Sequence, residues 1–215
     1  MVQDIIIHIG LPKTASTFLQ YDVFPKMKDI NFGTADLVSW DDYSLKEGCV
    51  NLYSSETFIG DATNSKLSFE KLREISKRYP DLKIIVVLRD NEKWLPSLYN
   101  QYIRNGGVYK YDKWRSMVFD ERFMDDNMII DELRRISKNV VVLNFEELKR
   151  DSNVFVSNMC KDIGIPVPVF ENNIRGKSLG PFAIKFLRFT NHFFVLSKPY
   201  RVVRRWKMRK KLNGV

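Results

Sequence analysis

Residues 5–20 read IIIHIGLPKTASTFLQ. A run of β-branched residues stops at Gly10 and Pro12, and helix-compatible residues resume by Thr14. Strand, breaker and helix in that order open a crossover unit. Three more runs repeat the theme: CVNLYS at 49–54, KIIVVL at 83–88 and NVVVL at 139–143. They are apolar without alternation, as strands covered on both faces are. Between them, apolar residues recur at helical spacing at 69, 72, 75 and 79, at Trp94, Leu98 and Tyr102, and over 128–136. This alternation predicts an α/β fold of three layers, α/β/α, with a central mainly parallel sheet. Residues 22–48 and 106–126 are less regular, and PVPVF at 166–170 marks a break. The expected division is an α/β domain over 1–180 and a basic, aromatic helical extension over 181–215.

The chain has 215 residues, enough for one sizeable core, and 44% are hydrophobic, so a folded body is expected. Asp4 interrupts the first apolar stretch, which is too short to span a bilayer, and no secretory signal is read there. Cys49 and Cys160 lie far apart and form no Cys-x-x-Cys pair. Reduced thiols in a cytoplasm are expected, with neither a disulfide framework nor a zinc site. The net charge of +9 is unevenly placed. Residues 172–215 hold twelve Lys and Arg and no Asp or Glu, leaving 23 basic and 26 acidic residues before them.

Open parallel sheets bind ligands at the carboxyl ends of their strands. A helix starting near Thr14 would offer backbone N–H groups and a positive dipole end there. Thr14, Ser16 and Thr17 add hydroxyls, and Lys13 adds a mobile charge. The set suits an anion. The Gly-Lys-Ser/Thr of the triphosphate loop is missing, so a cradle for one phosphate fits better. The plainer reading is a strand-turn-helix with a capping threonine.

The run at 83–88 continues as RDNEKWLPS, residues 89–97. Arg89 at the strand end offers a rigid fork of donors for a phosphate. Asn91 could cap the next helix. Pro96 suits a helix start, which predicts that the helix begins near 93–95, with Ser97 in its first turn carrying a free N–H. The plainer reading pairs Arg89 with Asp90 or Glu92 and leaves Ser97 on the surface.

Pro12-Lys13-Thr14-x-Ser16-Thr17 after the first strand, followed by Arg89 and Ser97 eight residues apart after a later strand, resembles the sulfotransferase superfamily over roughly residues 1–165. That resemblance implies a P-loop NTPase-like fold and transfer of a sulfuryl group from 3′-phosphoadenosine 5′-phosphosulfate (PAPS), releasing 3′-phosphoadenosine 5′-phosphate (PAP), with no metal. It implies that Lys13 meets the bridging oxygen, and that Pro12, Thr14, Ala15 (by its backbone), Ser16 and Thr17 surround the 5′-phosphate. Arg89 and Ser97 would read the 3′-phosphate. The family's later basic loop has a loose counterpart in residues 174–180, where Arg175 would approach the nucleotide.

In-line transfer needs positive charge at the departing oxygen, which Lys13 supplies, and a base for the acceptor's proton. Glu56, after the run at 49–54, stands on the same edge as both loops and is the expected base, as in carbohydrate-type members of the family. Its alternative role is to orient Lys13 or the acceptor, or to cap a turn. The only histidines are His8, inside the first strand and expected in the core, and His192 in the extension. The expected partner is a hydroxyl-bearing acceptor, a carbohydrate or glycolipid. A small-molecule or nucleotide kinase is the second reading, with Asp90 and Asp61 as its nearest metal carboxylates. A non-catalytic peripheral membrane module is the third.

Phe182, Phe186, Phe189 and Phe193 recur at helical spacing, and the expectation is that this aromatic face packs on the core. Residues 198–211, KPYRVVRRWKMRKK, carry eight basic residues. Contact with an anionic membrane at its inner face, or with an anionic acceptor, fits them; no nucleic-acid motif accompanies the charge, and none is expected as partner.

Overall fold

β1 (Ile5–Ile9) lies at the centre of a five-stranded sheet in a computed structural model that describes residues 4–63, 66–171 and 179–193. The other strands are β2 (Ile30–Thr34), β3 (Val50–Ser55), β4 (Lys83–Leu88) and β5 (Asn139–Asn144). Their spatial order is β2-β3-β1-β4-β5, and every neighbouring pair is parallel. The sheet therefore has one strand more than the four expected. β2 falls within 22–48, where the sequence INFGT carries an Asn and a Gly and no apolar run.

Strand side chains alternate between two cores. Ile5, Ile7 and Ile9 face one, together with Ile84, Val86 and Leu88. Against it pack α2 (Glu70–Arg78), α3 (Asn91–Arg104), α4 (Tyr111–Met117), α5 (Asp126–Ile136) and α8 (Pro181–Phe193). Ile6, Leu52, Ile85 and Val87 face the other. That face is covered by a continuous helical segment, α1, and by α6 (Phe145–Arg150) and α7 (Ser152–Ile163). α1 is α-helical over Ser16–Phe18, π-helical over Leu19–Val23 and 3₁₀ over Phe24–Lys26. The result is the three-layer α/β/α architecture.

The order of the strands fixes where a ligand can sit. After β1 the chain moves toward β2 and β3; after β4 it moves the other way, toward β5. β1 and β4 are neighbours, so the loops leaving them part company and open a crevice at their carboxyl ends.

His8 shows how β1 is seated. It is fully buried, edge-on to Phe24, with Nδ1 2.7 Å from the Ser54 hydroxyl, which also accepts from Gln20 at 2.8 Å. Burial pushes its pKa down to about 3, so the imidazole is neutral and structural, as the sequence suggested. A depressed histidine binds its proton in the unfolded chain first. Stability from this group is complete above pH 6.5 and drains away as pH falls toward 3. Between pH 7 and pH 5 His8 should cost the native state about 2 kcal/mol. Urea titrations at the two pH values should show that loss shrinking by about the same amount in His8→Gln; equal losses in both proteins would refute it.

Candidate functional site

The loop after β1 begins with a close approach. A Cβ on Gly10 would come within 2.3 Å of the Ser16 hydroxyl, so only glycine lets the chain turn back over its own helix. The Gly10 N–H binds the Ser55 carbonyl at 3.0 Å, which ties the loop to the end of β3. Lys13 and Ala15 then adopt left-handed φ values of 68° and 75°. Non-glycine residues rarely hold that conformation unless their surroundings enforce it.

The enforcement comes from the loop's carbonyls. Leu11 C=O accepts from the Thr14 hydroxyl at 2.6 Å and from the Thr14 N–H at 3.3 Å. Pro12 C=O accepts from the Trp94 indole N–H at 2.8 Å. Lys13 C=O accepts from Arg89 Nη1 at 3.0 Å. Three consecutive carbonyls are thus held by protein donors. Left-handed residues in such alternation are the backbone pattern from which anion-binding concavities are built. α1 begins at Ser16, two residues later than expected, and the amides that open it have no acceptor within the helix.

Arg89 joins the two loops. Its guanidinium lies 4.6 Å from the Phe145 ring centre and spends one N–H group on the Lys13 carbonyl. Burial lowers its pKa, and the Glu146 and Asp90 carboxylates oppose that shift; a guanidinium stays charged throughout. Its Nε is buried without a hydrogen-bond partner, a donor held in place for something else. Asp90 does not take the guanidinium. It caps α3 through the N–H groups of Glu92 and Lys93 and pairs with Lys93 at 3.4 Å.

Two expectations about α3 are corrected. The cap is Asp90, and the helix runs from Asn91. Pro96 lies inside it on an exposed turn, where its missing N–H forfeits only the bond to the carbonyl of solvent-facing Glu92. Ser97 is therefore in the second turn, its amide within the helix ladder, and its side chain is buried. Asn91 instead donates to the Met124 carbonyl at 2.8 Å.

Glu56 follows β3 directly, opening a turn beside Gly10, and is half-buried. Lys13 and Glu56 therefore stand on adjacent strand ends. Asp61 accepts from the N–H and hydroxyl of Thr63 at 2.9 and 2.5 Å. Arg175 and residues 198–211 lie outside the described residues. The sequence reading missed Trp94 and Phe145. Trp94 was visible only as one apolar position of a helix, and nothing in a linear pattern announces which carbonyl an indole will reach.

Residues 61–162 match the family described as Sulfotransferase domain. The fold is similar to the crystal structure of a sulfotransferase from Alicyclobacillus acidocaldarius, with a TM-score of 0.59 and 14% identity over 81% of this chain and 87% of that one. That family match covers a little under half of the chain, and the structural likeness shows the fold. The chain is also similar in fold to mouse sulfotransferase SULT7A1 complexed with PAP, at a TM-score of 0.53 and 15% identity over 87% of this chain and 64% of that one. No curated protein matches it. The matched segment contains β4, Arg89 and the whole of α3, and the first loop and Glu56 precede it.

Proposed function

We propose that the protein moves a sulfuryl group from PAPS to an acceptor hydroxyl on a carbohydrate or glycolipid. The observation that supports this reading is the 3.0 Å bond from Arg89 to the Lys13 carbonyl, which joins the loops leaving β1 and β4 at the crevice between those strands. Two such elements suit a nucleotide with phosphates at both ends of its ribose. The first loop would take the 5′-phosphate on the backbone of residues 13–17 and the hydroxyls of Ser16 and Thr17, with Thr14 bracing the loop from inside. Arg89, through its unspent donors, and Ser97 would take the 3′-phosphate.

In the reaction, Glu56 accepts the proton of the acceptor hydroxyl as its oxygen bonds to sulfur. The bond from sulfur to the bridging oxygen breaks, and its electron pair stays on the phosphate. The Lys13 ammonium meets that growing charge. The products are a sulfate ester and PAP, with the proton left on Glu56.

The carbohydrate class is supported by a carboxylate at this position, since neither histidine can serve: His8 is sealed in the sheet, and His192 is on α8. The reading places the protein in the cytoplasm. Cys160 is a buried thiol pushed up to about 11 by its surroundings, inert rather than redox-active. Among the described residues no helix is long and apolar enough to cross a membrane.

The test is ligand-induced thermal stabilisation, which rises with affinity for the folded state. PAP should stabilise the protein more than 5′-AMP, ADP or ATP. Arg89→Ala should weaken PAP roughly 30-fold or more, because charge-assisted bonds to a phosphate are lost, and should erase its advantage over 5′-AMP. Equal shifts for PAP and 5′-AMP in the unmutated protein would overturn the reading.

A further inference from the structure

α8 turns its aromatic stripe the wrong way for a core helix, contrary to the sequence expectation. Phe182 is 84% exposed, and Phe186 and Phe189 are each 62% exposed. The helix is instead attached through its other side. Ile184 and Leu187 pack on the core that α3 shares, Asn191 donates to the carbonyls of Ile103 and Gly107 at 2.8 and 2.9 Å, and Arg188 Nη1 lies 3.4 Å from the Tyr99 hydroxyl. These ties set the rotation of the helix, so the outward phenylalanines are a consequence of firm packing. At 100° per residue, positions 182, 186 and 189 fall on one narrow stripe, and exposed Lys185 lies on its flank.

We infer that this outward face of α8 docks on an anionic lipid surface. Exposed phenylalanines bordered by cations are what an interfacial helix presents: rings sink to the acyl boundary while basic groups stay among the headgroups. Charge complementarity selects the partner. From residue 172 to the end the chain carries twelve cations and no carboxylate, a charge pattern repelled by a basic surface and drawn to an acidic one. A second copy of the same surface would bring like charges together, which disfavours self-association as the way to cover the stripe.

The direction of α8 adds a consequence. Its contacts climb α3 in step, Arg188 at Tyr99 and Asn191 at Ile103, so the two helices run parallel and the Pro181 end points toward the rim that carries Arg89. A docked protein holds that rim near the headgroups. If the sulfotransfer reading is right, a lipid-borne hydroxyl is then the acceptor closest to Glu56.

Flotation with vesicles tests the docking by itself. The full chain should float with phosphatidylcholine vesicles containing about one-third phosphatidylglycerol, and roughly tenfold less with pure phosphatidylcholine. Phe182→Ser/Phe186→Ser should weaken binding to the anionic vesicles roughly tenfold or more. Both side chains are exposed, and an unchanged PAP-induced thermal shift confirms that the variant is folded and its nucleotide site intact. Failure of PAP to stabilise either protein would count against the donor reading and leave the flotation result standing. Three outcomes overturn the proposal: no flotation of the unmutated chain, equal flotation of chain and variant, or a dimer that dissociates in the double variant while neither protein binds vesicles.

Discussion

Glu56→Gln is expected to lower turnover with a sugar hydroxyl acceptor about 1000-fold, at unchanged affinity for PAP. Glutamine keeps the shape of the side chain and cannot accept the acceptor's proton. Glu56 stands at the end of β3, one strand from the Lys13 loop. A sugar hydroxyl is a very weak acid and needs that base throughout its attack. An acidic phenol, largely ionised at pH 8, does not. The loss should therefore shrink to about tenfold with p-nitrophenol as acceptor. A residue that merely capped a turn or oriented Lys13 would harm both acceptors alike. Rates measured with labelled PAPS and the two acceptor types separate the cases, and a uniform loss would remove Glu56 from the role of base.

Lys13→Met is the second large effect, a fall of about 100-fold or more in turnover, corresponding to about 3 kcal/mol of transition-state stabilisation. The substitution isolates the charge. Arg89 grips the Lys13 carbonyl, not its side chain, so the left-handed backbone at this position keeps its restraint in the variant. PAP binding should weaken far less than turnover, because the charge on the bridging oxygen grows only as the bond to sulfur breaks. Single-turnover rates beside PAP thermal shifts give both quantities. A variant whose binding and rate fall by the same factor would place Lys13 in ordinary nucleotide binding.

Much of the architecture could be read from the chain because a doubly covered parallel strand needs an unbroken apolar run. β3 has only a short Leu52-Tyr53 core flanked by Asn51 and serines, whereas β1, β4 and β5 each contain such a run. β2 does not: Ile30, Asn31 and Phe32 are only partly buried at the sheet edge, and an edge strand can be built from residues that look like loop. The start of α3 was misplaced because Pro96 was taken as a beginning, whereas the Asp90 cap outweighs one proline on a wet turn. The aromatic stripe of α8 obeyed helical spacing, yet spacing says only that residues share a face. Which face the core receives was settled by Asn191 and Arg188, polar residues that a hydrophobic pattern ignores. In the candidate site, Lys13, Arg89 and Glu56 could be named from their places after strand ends together with the family resemblance. The bracing by Trp94 and Phe145 could not, since it joins residues 82 and 56 positions apart.

The paired grip on the carbonyls of Pro12 and Lys13 also dictates where this chain can change length. Arg89 and Trp94 are separated by the start of α3, and each must meet its own carbonyl. One residue added between them would swing the indole about 100° around the helix axis and let the Pro12 carbonyl go. Growth and shrinkage belong instead outside 89–94, in stretches where no side chain is asked to keep time with the cradle.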